Sequence, residues 1–269
     1  VSIELADFTT LALQRVGPVV HVTLNRPEVR NAMSMKMVRE LRAVLAQAEM
    51  RGEARAIVLR GAGGHFCAGA DLKDMAAARM KMAENPSALI ETNAAFGELC
   101  VAYADTPLAL VAVLEGTVMG GGFGLACVAD VVLADETVNF RLPETSLGVV
   151  PAQIAPFLVQ RLGYSEARRL AVTGAQLGAG EALALRLVHQ VHPEGTLDAA
   201  LGWVLDGILK NAPNAVAATK ALMARARLAA PATLVQDAAE TFSRAALGAE
   251  GIEGTTAFLQ KRKASWVPD

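Results

Sequence analysis

The segment that most constrains this chain is residues 108–114, seven consecutive apolar side chains in the order Leu-Ala-Leu-Val-Ala-Val-Leu. A strand that alternates apolar and polar residues needs cover on one face only. An uninterrupted run must be covered on both, which is the situation of a parallel strand between packed layers. Ala56-Ile57-Val58-Leu59 has the same character. Glycines follow each run, Gly61-Ala62-Gly63-Gly64 after the first and Gly120-Gly121-Gly122-Phe123-Gly124 shortly after the second. Buried strand, glycine turn and helix in repeated order imply an α/β core.

The flanking segments fit that core. Residues 10–16 and 19–24 read as a hairpin turning at Gly17-Pro18, ended by Asn25-Arg26-Pro27. Ser34 is placed to cap a helix running to about Met50, with Met37, Leu41, Val44, Leu45 and Ala48 on one face. Asp71 or a neighbour starts another helix, and 88–104 is a longer one. Further strands are expected at 130–134, 138–140 and 187–191. Four helical segments follow, at 196–211, 213–227, 231–246 and 251–263. We therefore expect a core over residues 1–195 and a helical C-terminal appendage over 196–269, with no internal repeat.

Composition removes several functions. Hydrophobic residues make up 53% of the 269 residues, yet no apolar stretch reaches the ~18 residues of a membrane span. Aromatics are 4% and the net charge is −2, so the basic, aromatic-interleaved surface of a nucleic-acid binder is missing. Cys67, Cys100 and Cys127 cannot all pair within one chain, and they match no zinc or redox spacing. His21, His65, His189 and His192 show no metal spacing either, and no metal or separate cofactor is expected. The N-terminus carries Glu4 and Asp7 instead of a basic-then-apolar signal. A reducing, cytoplasmic setting is the expectation.

The glycine run has several known uses. A G-x-G-x-x-G fingerprint would need a third glycine where Leu125 or Cys127 stands. There is no Gly-Lys-Ser/Thr and no G-x-S-x-G, which removes a P-loop and a nucleophile elbow. Two uses remain: close packing of strand on helix, or unhindered amides at a helix start that hold a developing negative oxygen.

Five segments bear on that choice. His65-Phe66-Cys67-Ala68-Gly69-Ala70-Asp71-Leu72, the stretch from Gly116 to Asp130, and Phe140-Arg141-Leu142-Pro143-Glu144 with Leu147-Gly148 resemble, in order, the three signatures of the enoyl-CoA hydratase/isomerase (crotonase) superfamily. Leu24-Asn25-Arg26-Pro27 and Phe258-Leu259-Gln260-Lys261-Arg262-Lys263 resemble its early and late patterns, and the match runs from about residue 8 to 266. The resemblance implies an α/β crotonase-like ββα spiral core with a helical C-terminal oligomerisation region. It implies oxyanion donors at the backbone N–H groups of Ala70 and Gly121, with Gly120 beside them. Coenzyme A would enter as part of the substrate, lined by Arg26, Val29, Arg30, Ala68, Asp71 and Leu72. Phe258 and Lys261 would reach a neighbouring subunit's coenzyme in a homotrimer or dimer of trimers. Ala215, Ala218, Leu222 and Ala226 supply an apolar helix face for such assembly.

One departure stands out. Hydratases of this family commonly use two glutamates, but the first position is Gly124 here, and only Glu144 remains. Glu144 then carries the acid/base role, with Asp71, Asp130 and Asp135 expected as caps or turn residues. Pro151-Ala152-Gln153-Ile154-Ala155-Pro156-Phe157 is similar to 3-methylglutaconyl-CoA hydratases and, most of all, their isohexenylglutaconyl-CoA relatives. The implied substrate is a 3-branched glutaconyl-CoA whose distal carboxylate needs donors. Arg141 and Gln153 are candidates, with Arg79 and Lys81, and the Ala-rich segment 76–83 is a source of room for the tail. The same scaffold also serves acyl-CoA isomerases, dehydratases and thioesterases, and an RNA-binding or scaffold member is the non-enzymatic alternative.

Overall fold

A computed structural model describes residues 8–268, so the N-terminal acids Glu4 and Asp7 lie outside the described residues. The main sheet has six strands: β1 (Leu11–Val16), β2 (Val19–Leu24), β3 (Ala56–Gly61), β4 (Ala109–Leu114), β6 (Val131–Asp135) and β9 (Gln190–His192), in the spatial order β1-β2-β3-β4-β6-β9. Within this sheet only the β1–β2 pair is antiparallel. A smaller sheet contains β5 (Thr117–Met119), β7 (Asn139–Arg141) and β8 (Gln176–Gly178), in the order β5-β7-β8.

Strand β4 is buried on both faces, as its composition requires. Leu110, Ala112 and Leu114 join the main core, while Ala109, Val111 and Val113 face a second core closed by Leu197, Ala200 and Leu201. Those last three lie on α7 (Leu197–Leu209). On the main-core side sit α1 (Met35–Arg51) and α3 (Ala88–Asp105). Ser34 caps α1, accepting a hydrogen bond from the N–H of Met37 at 3.2 Å.

The chain winds as a spiral. Each turn leaves a main-sheet strand, crosses the second layer and returns through helix. After β3, Cys67 bridges to Val118 of β5, and α2 (Leu72–Lys81) and α3 follow. After β4 come β5 and α4 (Gly121–Val128). After β6 come β7, a 3-10 turn at Glu144–Leu147 and α5 (Ala155–Thr173), kinked at Gly163. Then follow β8, α6 (Ala179–Ala184), β9, α7, α8 (Pro213–Ala226), α9 (Val235–Leu247) and α10 (Ala249–Leu259).

The structure departs from the expected elements in four places. The last main-sheet strand is Gln190–His192 rather than 187–191, because Leu187 and Val188 pack into the core just before it. Strands β5 and β8 have three residues each, too short to show a period in the sequence. The 231–246 segment begins with a 3-10 turn at Pro231–Leu234. The final helix ends at Leu259, before Lys261 takes a left-handed backbone conformation.

Candidate active site

Three chain crossings meet at one place. Met33 donates its N–H to the Gly69 carbonyl at 2.7 Å, and Asp71 donates to Met33 at 3.0 Å, which fixes Ala70 between them. Cys67 bonds Thr117, and Met119 bonds back to Cys67, which sets this loop beside β5. Gly120 then turns the chain into α4 with φ 48° and ψ −117°, a conformation open only to glycine. A side chain there would also collide with Glu144, since its Cβ would come within 2.9 Å of Oε1.

The N–H groups of Ala70 and Gly121 have no protein acceptor among the described residues. Gly121 is the first residue of α4, where a helix leaves its amides free and its dipole favours negative charge. Both residues line a cavity of about 480 Å³. Glu144 lines it too, at the start of its 3-10 turn. Burial pushes the Glu144 carboxyl above its ordinary range, outweighing a hydrogen bond from its own backbone N–H. Its Oε2 is buried and has no hydrogen-bond partner among the described residues.

Gly124 answers the question raised by the missing glutamate. A Cβ at Gly124 would lie 2.2 Å from Cγ2 of Ile154 and 3.1 Å from its Cβ. The space of the absent carboxylate is filled by a branched apolar side chain, which itself lines the cavity. Met33, Val38, Met75, Leu89 and Phe96 extend the apolar wall. The room comes from these residues, not from the segment 76–83, of which no member lines the cavity.

The remaining expected site residues are distributed as follows. Arg26 is tied up: its guanidinium pairs with Asp71 at 2.8 Å and donates to the Ala32 carbonyl at 2.6 Å. Asp71 caps α2 through the N–H of Lys73. Burial pushes its carboxyl up, but the bonds from Arg26 and Lys73 outweigh this and leave it below the usual carboxylate value. Val29 ends a short 3-10 turn, Arg30 is exposed, and Ala68 donates to the Arg30 carbonyl at 2.9 Å, joining the two loops. Leu72 is exposed at the start of α2. Gln153 lines the cavity; Arg141, Arg79 and Lys81 do not. Phe258 and Lys261 are exposed at and beyond the end of α10.

The groups set aside as structural are structural here. Asp130 accepts from Leu110 and Lys220, and Asp135 from Thr137. All three cysteines are free and buried, with thiol pKa values pushed up to about 11 for Cys67 and about 12 for Cys100 and Cys127. Among the described residues no cluster of three His, Cys, Asp or Glu side chains could hold a metal. Sequence reasoning missed Asn31, which is fully buried with a left-handed backbone. Its side chain accepts from Arg26 N–H and donates to the carbonyls of Ala62 and His65, tying the loops together.

This geometry can be set beside known proteins. Residues 14–268 match the family model described as enoyl-CoA hydratase/isomerase. The chain belongs to that family. Among solved structures it is similar to Pseudomonas aeruginosa AtuE, with 52% identity, a TM-score of 0.92 and coverage of 96% of this chain and 100% of that one. An enoyl-CoA hydratase/isomerase from Marinobacter aquaeolei is 48% identical, with a TM-score of 0.92 over 96% of this chain and 99% of that one. Among curated relatives, the mevalonyl-coenzyme A hydratase SIDH of Beauveria bassiana is 33% identical over 260 residues, 92% of this chain and 91% of the relative. The fold is the crotonase α/β fold, with its helical C-terminal region present. No helix among the described residues is long and apolar enough to cross a membrane.

Proposed function

We propose that this family member is a lyase that hydrates the double bond of a 3-branched glutaconyl-CoA, isohexenylglutaconyl-CoA first and 3-methylglutaconyl-CoA next. The observation that carries the reading is the meeting of two unpartnered N–H groups, at Ala70 and Gly121, with one buried carboxyl, Glu144. The thioester oxygen accepts from both amides. Water, giving a proton to Glu144, attacks carbon 3 and its oxygen bonds there. The electron pair of the double bond moves through carbon 2 onto the thioester oxygen as an enolate. The enolate collapses as carbon 2 takes the proton back from Glu144. A raised carboxyl pKa suits a group that must both accept and return a proton near neutral pH.

A tail-accommodating apolar cavity supports the branched acyl group, as does similarity to a relative named for mevalonyl-CoA, itself branched at carbon 3. The discriminating experiment offers straight-chain, 3-methylglutaconyl and isohexenylglutaconyl thioesters to the enzyme and follows product masses. The expected result is a gain of one water with preference for the branched glutaconyl substrates. A preference for the straight chain would overturn the substrate, and a product of unchanged mass would make the enzyme an isomerase. Exposed Met223, Phe242, Leu247, Ile252 and Phe258 on the C-terminal helices support assembly into a trimer or a pair of trimers. Light scattering should give three or six times the 28.1 kDa chain mass, and a stable monomer would contradict a shared coenzyme site.

A further inference from the structure

The cavity has a polar feature that chemistry at Glu144 leaves unused. Asn93, on α3, accepts a hydrogen bond through Oδ1 from Nε2 of Gln153 at 2.8 Å. Both residues line the cavity. With Oδ1 engaged, the Asn93 amide nitrogen has no acceptor among the described residues, and the residue is exposed where it lines the cavity. Gln153 is held from behind by the absence of a side chain at Gly97. A Cβ there would come within 2.1 Å of Gln153 Oε1 and 2.7 Å of its Cδ. Asn93 and Gly97 stand one helical turn apart, so a single face of α3 both presents one amide and seats the other.

The other polar side chains of the cavity are committed. Asp71 is paired with Arg26, Asp74 accepts from Met35 N–H at 2.6 Å, and Thr92 donates to the Ala88 carbonyl. No lysine, arginine or histidine lines the cavity among the described residues. A cation there would stabilise the ionised form of Glu144 and draw its pKa down against the effect of burial. Neutral amide donors hold an anion without that penalty, and hydrogen bonds to a charged acceptor are among the stronger ones.

We propose that the Asn93–Gln153 pair receives the distal carboxylate of the acyl group, with Asn93 Nδ2 donating to it and Gln153 positioning Asn93. This rests on the glutaconyl reading of the substrate and adds the residues that enforce it. A site built to bond a polar group discriminates strongly against the analogue that lacks it.

The test compares kcat/KM for two thioesters, 3-methylglutaconyl-CoA and 3-methylcrotonyl-CoA, the same branched enoyl group without the distal carboxylate. Asn93→Leu should lose on the order of tenfold to hundredfold more on the first than on the second, chiefly through KM. Gly97→Ala removes neither amide and favours the helix, yet displaces the Gln153 carboxamide. It should give a smaller loss of the same selectivity. Equal losses on both thioesters, or none, would overturn the pair's role. If the wild type prefers the glutaconyl thioester while the variants lose no selectivity, the substrate reading stands and the receptor falls. If the wild type prefers 3-methylcrotonyl-CoA, both fall together.

Discussion

Glu144→Gln should lower kcat by about 10²–10⁴-fold, the usual contribution of a positioned acid/base group, with the fold intact. The amide keeps the shape of the side chain but cannot take a proton from water or return one to carbon. No second carboxyl stands by to share the work. Gly124 occupies the position of the family's other glutamate, and Ile154 fills the space in front of it. Asp71 is bound to Arg26 and Asp74 to the Met35 N–H. The measurement is the hydration rate of a branched glutaconyl thioester for both proteins, and equal rates would remove Glu144 from the reaction.

The pH dependence carries a second signature of the same group. Burial raises the Glu144 carboxyl above its unfolded value of 4.5. The wild-type kcat/KM should therefore fall on the acid side through a pKa above the ordinary carboxylate range, and Glu144→Gln should lack that limb. Stability follows with the opposite sign from a salt-bridged acid. Below the unfolded pKa the group is protonated in both states and neutral in its effect. As pH rises through the unfolded and then the raised folded value, the unfolded state releases its proton more readily and the native state is penalised. At neutral pH the glutamine variant should thus unfold at the same temperature as the wild type or higher. A large loss of activity without loss of stability separates chemistry from misfolding.

How much of this was legible beforehand differs by element. The two-faced burial of β4 follows from seven apolar residues in a row, and the structure divides them between two cores. Ser34 as a cap and Gly17 as a turn are local chemistry, readable without neighbours. The family's second glutamate could be seen to be missing at Gly124, but not what replaces it. Ile154 lies thirty positions away and reaches Gly124 only through the packing of α5 on α4. Asn93 escaped for a similar reason. Helix α3 has no strong apolar stripe, so nothing in its sequence marks the face that borders the cavity. Arg141 illustrates the converse: adjacent in sequence to the Glu144 loop, it projects from β7 and does not line the cavity.

Gly121→Val should be as damaging as loss of the acid, and for a steric reason. A Cβ at this position would stand 3.0 Å from Cζ of Phe96 and within 3.5 Å of its ring neighbours. The gap between the Gly121 Cα and that ring is thus already closed by one carbon. Two further methyl groups would occupy the space through which a thioester oxygen must approach the amide. Losing one such donor costs about 2.7–4 kcal/mol of transition-state stabilisation, ~10²–10³-fold in rate. The first turn of a helix tolerates valine, so the protein should still fold, with a melting temperature lowered by the crowding against Phe96, while turnover fails. Gly121→Ala provides the graded control: its single carbon makes a tight contact that Phe96 can yield to, and it should keep part of the activity. Normal turnover by the valine variant would mean that the thioester oxygen binds elsewhere. The free N–H groups at Ala70 and Gly121 would then have no part in the reaction.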